Sequence, residues 1–252
     1  MSKGKKMEAV TLQLPTHQRY QENLDALIAL VEYHKEKALI VAPEVCLTGF
    51  DYERMDTVAK FSILALKSLK KMVDKQVLVL TLILKEKEAF VNQAVVIHRH
   101  KIVYRQNKAK LFTLGEEQKY FRAGPVRAVK PFEIEGVKYA LLVCFELRFK
   151  ELWKRVEGAD VVIIPARWGL PRKGHLEALS RALAVMNQCY VIVSDSSDAD
   201  MAQSSAIISP DGQVVQDDTA ISVSGTIDFD EIRKMRRYIM MQQGATLARN
   251  EE

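Results

Sequence analysis

The sequence predicts a layered α/β fold, and three observations carry that prediction. Apolar runs rich in β-branched residues alternate along most of the chain with segments whose apolar residues recur at helical spacing. At 252 residues and 48% hydrophobic, the chain is long enough to bury one large core. No Pro-, Gly- or Ser-rich linker and no fixed-period repeat divides it, and the seven prolines fall at loop positions. One domain spanning 1–252 is therefore expected, with the lysine-rich start, residues 1–6, disordered.

Taken in order, Met7 to Leu14 reads as a strand, Arg19 to Lys35 as a helix and Ala38 to Ala42 as a short buried strand, closing a strand–helix–strand unit before Pro43. Phe61 to Lys75 reads as a second helix and Gln76 to Leu84 as a strand. Phe90 to His98 and Lys101 to Arg105 form a hairpin, although the turn between them lacks glycine. The run Tyr139 to Val143 is a strand that stops at Cys144. Beyond it lie a helix over Glu151 to Glu157, a buried strand over Asp160 to Pro165, a helix over His175 to Asn187 and a strand over Cys189 to Asp195. Pro210-Asp211-Gly212 is the strongest local turn signal and sets a hairpin over Ala206 to Gln216. Ile221 to Asp228 is the final strand.

Charge narrows the possible partners. The formal net charge is +5, but Lys3, Lys5 and Lys6 of the terminal segment supply part of it. Arg233, Lys234, Arg236 and Arg237 stand beside acidic residues on an amphipathic segment without interleaved aromatics, the pattern of a solvated helix face and not of a nucleic-acid binder. No apolar run reaches the roughly 18 residues of a membrane span, and no apolar stretch follows the first lysines as it would in a secretion signal. Neither nucleic acid nor membrane is expected as a partner. Three cysteines, Cys46, Cys144 and Cys189, form an odd set without short-range pairing or zinc-ligand spacing. Reduced thiols, a cytoplasmic location and no metal or other cofactor are expected.

A lone cysteine is usually a small buried hydrophobe. Cys144 differs in position: it ends an apolar strand and enters a charged turn, where a side chain is presented at the sheet's carboxyl edge and following N–H groups face a developing oxyanion. Glu44, just past a buried strand in A-P-E-V-C-L-T-G-F, is placed in the same way. Lys108, in N-K-A-K-L-F, also follows a strand. Singly, an acid that braces a loop and a solvated lysine would account for these two.

Together the three segments resemble the glutamate, lysine and cysteine blocks of the nitrilase, or carbon–nitrogen hydrolase, superfamily, whose patterns are P-E-x-x-x-T-G-F, K-x-H-L-F and C-Y-D-L-R-F in that order. The likeness continues through Gly158-Ala159-Asp160, Pro165-Ala166-x-Trp168, Asn187-Gln188-Cys189-Tyr190-Val191 and Ser209-Pro210-Asp211-Gly212. It implies a four-layer αββα sandwich and a homodimer or larger assembly; Leu176, Leu179, Leu183, Val185 and Met186 make one helix apolar nearly all round, as a covered helix would be. It also implies an amidase in which Cys144 is the nucleophile, Glu44 the general base and Lys108 the stabiliser of the tetrahedral intermediate. A second glutamate falls in Gly115-Glu116-Glu117-Gln118-Lys119-Tyr120-Phe121-Arg122-Ala123-Gly124. Spacing from Gly124 selects Glu117, whereas spacing from Lys108 also admits Glu116.

The departures are Lys110 for the histidine of the lysine block, Phe145-Glu146 for Tyr-Asp after the nucleophile, and Met186 for a glutamate before Asn-Gln. None removes a chemical group. The short length and the Gly-Glu-Glu-x-x-Tyr-Phe segment look most like members that hydrolyse ω-amides of dicarboxylic acids, with N-carbamoyl compounds as the second substrate class. For substrate binding the resemblance points to Phe145, whose N–H follows the nucleophile, and to Arg148, Arg167 and Trp168. Either arginine is available for a substrate carboxylate, and Arg148 is equally suited to an ion pair with Glu151. Three competing readings differ in kind: a Cys144–His175 dyad, a Cys/His/Asp metal site, and a non-catalytic binding or scaffold protein. The joint presence of Cys, Glu and Lys argues against the last.

Overall fold

A computed structural model of the chain describes residues 5–239. Its twelve strands form two six-stranded mixed sheets, ordered β12-β1-β2-β3-β4-β5 and β11-β10-β9-β8-β7-β6. In the first, β1 (Lys6–Leu12), β2 (Leu39–Val41) and β3 (Val77–Glu86) are parallel neighbours, as are β7 (Val137–Leu141), β8 (Val161–Pro165) and β9 (Tyr190–Ser194) in the second. Antiparallel strands flank each trio: in the first sheet β12 (Ser222–Asp228) beside β1, and β4 (Ala89–His98) and β5 (Lys101–Asn107) beyond β3; in the second β6 (Phe132–Ile134) beside β7, and β10 (Ala206–Ile208) and β11 (Val214–Gln216) beyond β9.

The strand period of two decides which residues lie between the sheets. Ala9, Leu39, Val41, Val77 and Val79 turn inward and join one core with Val161, Ile163 and Val191; the alternate residues Val10, Leu12, Ile40, Leu78 and Leu80 turn outward beneath α1 (Tyr20–Tyr33) and α2 (Met55–Met72). The short α3 (Glu117–Tyr120) follows β5, and on the far side α4 (Lys150–Arg155) and α5 (Lys173–Asn187) bury Leu152, Leu176 and Leu183. This is the expected helix–sheet–sheet–helix layering. Buried hydroxyls tie the two sheets together: Thr11 Oγ1 donates to the Val193 carbonyl at 2.7 Å, and Ser194 Oγ to that of Leu12 at 2.7 Å.

Several boundaries differ from those the sequence predicts. Of the stretch 1–6 expected to be disordered, residues 1–4 lie outside the described residues, whereas Lys6 is ordered: it opens β1 and pairs with Asp228 at 3.1 Å. Helix α2 starts at Met55, six residues before Phe61, because Asp51 accepts the Arg54 N–H and sets the chain into a turn that leads into it. The glycine-free hairpin turn closes by placing both Arg99 (φ 49°) and His100 (φ 60°) in the left-handed region. The short strand β6 pairs with β7 through a turn at Glu135 and Gly136, an element the apolar pattern does not announce. Helix α6 (Phe229–Tyr238) carries the C-terminal basic residues, with Arg236 held on Asp160 at 3.1 Å. Among the described residues, no helix is long and apolar enough to cross a membrane.

Candidate active site

Strand ends build the site. Glu44 follows β2, Lys108 follows β5, Cys144 follows β7, and Arg167 and Trp168 follow β8. Glu44, Glu117, Cys144, Phe145, Arg148, Arg167 and Trp168 all line one cavity.

The Lys108 side chain is wholly buried, and its Nζ lies 2.8 Å from Glu44 Oε1 and 2.7 Å from Glu117 Oε1. Burial alone would lower the ammonium's pKa; the charges of Glu44 and Glu117 outweigh it and raise the value, so Lys108 is a fixed cation. The structure turns Glu117 inward, not Glu116. Glu116 sits in the left-handed region at φ 58° and pairs on the surface with Lys119 at 2.6 Å. Glu117 Oε2 takes the Phe112 N–H at 3.1 Å. Burial pushes the Glu117 carboxyl above its ordinary range, against the pull of Lys108.

Glu44 Oε1 also accepts from Asn92 Nδ2 at 2.8 Å, whereas its buried Oε2 has no partner among the described residues. Asn92 was not legible as a site residue: it sits mid-strand in β4, yet its carbonyl accepts the Lys108 N–H at 2.8 Å while its amide holds Glu44. Gly124 anchors the same chain from the other side. Its N–H donates to the Lys108 carbonyl at 2.8 Å, and a Cβ there would stand 2.4 Å from the Asn107 carbonyl oxygen. The glycine of the Tyr-Phe-x-x-Gly segment is thus a close-approach residue.

Cys144 is 8% exposed and adopts φ 47°, a left-handed conformation that a non-glycine residue holds only when its surroundings impose it. Burial, and then the Glu44 charge, lift its thiol well above the ordinary range; the Lys108 charge and the Arg167 N–H pull the other way without prevailing. The balance favours the neutral thiol. Cys46 and Cys189 are deeper still, each pushed up to about 12 by burial. His175 stands against Arg148 with its Nδ1 3.0 Å from Nη2, and no Cys144–His175 hydrogen bond forms. No group of three or more potential metal ligands occurs among the described residues.

The arginines divide differently from expectation. Arg167 is committed: Asp198 lies 2.6 Å from Nη2 and Thr16 Oγ1 2.8 Å from Nη1. Arg148 does not pair with Glu151, which Lys110 takes at 2.8 Å. It lies instead over Trp168 at 4.8 Å, while Arg172, unremarked in the sequence, lies over Phe112 at 5.5 Å. Both line the cavity, and neither has a carboxylate partner among the described residues. Burial and the neighbouring Arg172 charge lower the Arg148 pKa.

Comparison with known proteins agrees with this architecture. The chain is 31% identical to a 2-oxoglutaramate amidase of Bacillus subtilis over 86% of its own length and 89% of that protein's. It is 26% identical to an omega-amidase of Escherichia coli, over 70% and 71% of the two chains. Among solved structures, a Xanthomonas campestris protein of the CN-hydrolase superfamily superposes with a TM-score of 0.82 at 20% identity, covering 96% of this chain and 99% of that one. Saccharomyces cerevisiae Nit3, of the nitrilase superfamily, gives 0.81 at 18% identity over 95% and 96%. The family model for carbon-nitrogen hydrolases matches residues 11–237, nearly the whole described chain, and with the fold and the relatives it establishes that this protein belongs to the carbon–nitrogen hydrolase family.

Proposed function

We propose that the protein hydrolyses the ω-amide of a small dicarboxylic acid, releasing ammonia through a thioester on Cys144. The Cys144 thiol attacks the amide carbon while Glu44, through its unpartnered Oε2, takes the thiol proton. Lys108 and the Phe145 N–H face the oxyanion, a contribution of roughly 3–4 kcal/mol per donor. Collapse breaks the C–N bond as Glu44 returns the proton to the leaving nitrogen; Glu44 then takes a proton from water, whose attack on the thioester yields the acid and the free thiol. Glu117 holds Lys108 in line.

The observation that favours a carboxylate-bearing substrate is the pair of unneutralised guanidiniums, Arg148 and Arg172, beside the thiol. The acids of that cavity, Glu44 and Glu117, both already hold Lys108, whereas the two guanidiniums have no carboxylate partner among the described residues. The names of the relatives, 2-oxoglutaramate amidase and omega-amidase, support the same class. Trp168 and Phe145 form the cavity's apolar wall. We also propose a cytoplasmic homodimer: Val185 and Met186 on α5 are 45% and 55% exposed, and Val214 and Val215 on β11 are 43% and 50% exposed.

The test is ammonia release from ω-amides, N-carbamoyl compounds, acylated amines and nitriles, with Cys144→Ala as control. ω-Amides with a distal carboxylate are expected to give the highest kcat/KM. Arg148→Leu and Arg172→Leu should each lower that value about 10- to 100-fold, the loss of one charge-assisted hydrogen bond, while hardly altering turnover of an uncharged aliphatic amide. Equal losses on both substrates would remove the arginines from substrate recognition, and a preference for carbamoyl compounds or nitriles would replace the substrate class.

A further inference from the structure

Glu146 has no part in the chemistry outlined above, yet it is wholly buried one turn from the nucleophile. Its Oε2 accepts the Val143 N–H at 2.7 Å and its Oε1 accepts the Ala109 N–H. Val143 immediately precedes Cys144, and Ala109 immediately follows Lys108. One carboxylate therefore spans the two chain segments that carry the thiol and the ammonium, which arise from different sheets. No lysine or arginine forms an ion pair with it among the described residues, so its bonding is spent on backbone groups. Burial holds its carboxyl up at about 7 against those N–H groups and the more distant Lys108 charge.

We infer that Glu146 is a positioning residue that fixes the distance and orientation of Cys144 relative to Lys108 by clamping Val143 and Ala109 with its two oxygens. This rests on the reading of Cys144 as the nucleophile. A carboxylate suits the task because each oxygen only accepts, and both backbone partners only donate. An amide in its place would direct an NH₂ group at one backbone N–H, opening one side of the clamp. Aspartate would keep the charge but fall one methylene short of spanning both. The Gln106 amide, which donates to the Leu141 carbonyl at 3.2 Å, joins the same two segments farther back and leaves their tips to Glu146.

The experiment compares Glu146→Gln and Glu146→Asp with wild type at pH 8, on the ionised side of the value near 7 to which burial raises the carboxyl. Two readouts are taken on folded protein: kcat and KM on an ω-amide, and the rate at which iodoacetamide alkylates Cys144, located by peptide mass. The expected result is a kcat loss of about 100-fold, the effect of a misplacement near 1 Å, with KM little changed. Alkylation of Cys144 should slow about tenfold as Lys108 loses its hold on the nascent thiolate. If the glutamine variant does not fold, the aspartate variant is read by the same criteria. A folded variant with lower melting temperature but wild-type kcat and alkylation rate would overturn the inference, leaving Glu146 as a brace of the fold. If wild type cleaves no ω-amide but its Cys144 is still alkylated first, and more slowly in the variants, the substrate reading fails and the clamp stands. Alkylation of Cys46 or Cys189 ahead of Cys144 in wild type would overturn both.

Discussion

Replacing Cys144 by serine should lower turnover by about 10⁴-fold or more, a loss typical of removing a nucleophile from a cooperating set, while the melting curve stays close to wild type. The thiol is neutral at rest, since burial and the Glu44 charge outweigh the help from Lys108 and the Arg167 N–H. Attack therefore depends on concerted proton removal, and a hydroxyl, less acidic and less nucleophilic than a thiol, gives Glu44 a harder proton to take. Ammonia release measured beside circular dichroism separates lost chemistry from lost structure. A serine variant that keeps a tenth of wild-type activity would place the nucleophile elsewhere.

Lys108→Met should be the single change most damaging to stability, and it should damage activity as well. It keeps an unbranched side chain one atom shorter but leaves Glu44 and Glu117 buried around an apolar group, and removing one partner of a buried ion pair costs about 3–5 kcal/mol. The pH dependence follows from the directions of the shifts. Lys108 has its folded-state pKa raised, so in wild type its contribution is fully present at neutral pH and is lost only as the pH rises through that raised value. In the variant Glu117, already held high by burial, has lost the cation that opposed this shift. A carboxyl with a raised folded-state pKa contributes stability below its unfolded value and loses it as the pH rises. The variant should therefore be most stable in acid and weaken toward pH 8, the range in which Lys108 keeps wild type stable. Urea melts at pH 5 and pH 8 measure this; equal midpoint losses at both would mean that Glu117 does not take up the proton. Activity should fall by at least about 10²-fold at either pH, since an oxyanion donor is gone.

The elements most legible in the sequence were those whose burial leaves a continuous apolar run. Val161–Pro165 and Leu39–Val41 are buried at every position, so composition alone declares them. Three-residue β6 carries one buried residue and leaves no such trace. The Arg99-His100 turn was obscure because nothing in those residue types announces a left-handed backbone. At the site, Glu44, Lys108 and Cys144 could be picked out because each stands just past a strand and within a block that resembles a known family. Asn92, Arg172 and Glu146 could not be assigned in the same way, because what each does depends on which chain lies beside it. Asn92 acquires its partners when β4 pairs with β5 and approaches Glu44; Glu146 acquires its second when the Lys108 segment comes to lie against the Cys144 turn. The Arg167–Asp198 ion pair was hidden for the same reason, since Asp198 comes from a loop beyond β9.

Cys144, Glu44 and Lys108 thus form a covalent hydrolytic site only if the acyl group passes through the thiol. The direct measurement is rapid-quench mass spectrometry of the protein mixed with an ω-amide substrate, followed by peptide mapping. The account predicts a transient mass increase on the peptide carrying Cys144, equal to the acyl part of the substrate, that decays as the acid appears and is absent from Cys144→Ser. Ammonia release in a burst without any acyl adduct, or an adduct on another residue, would contradict it.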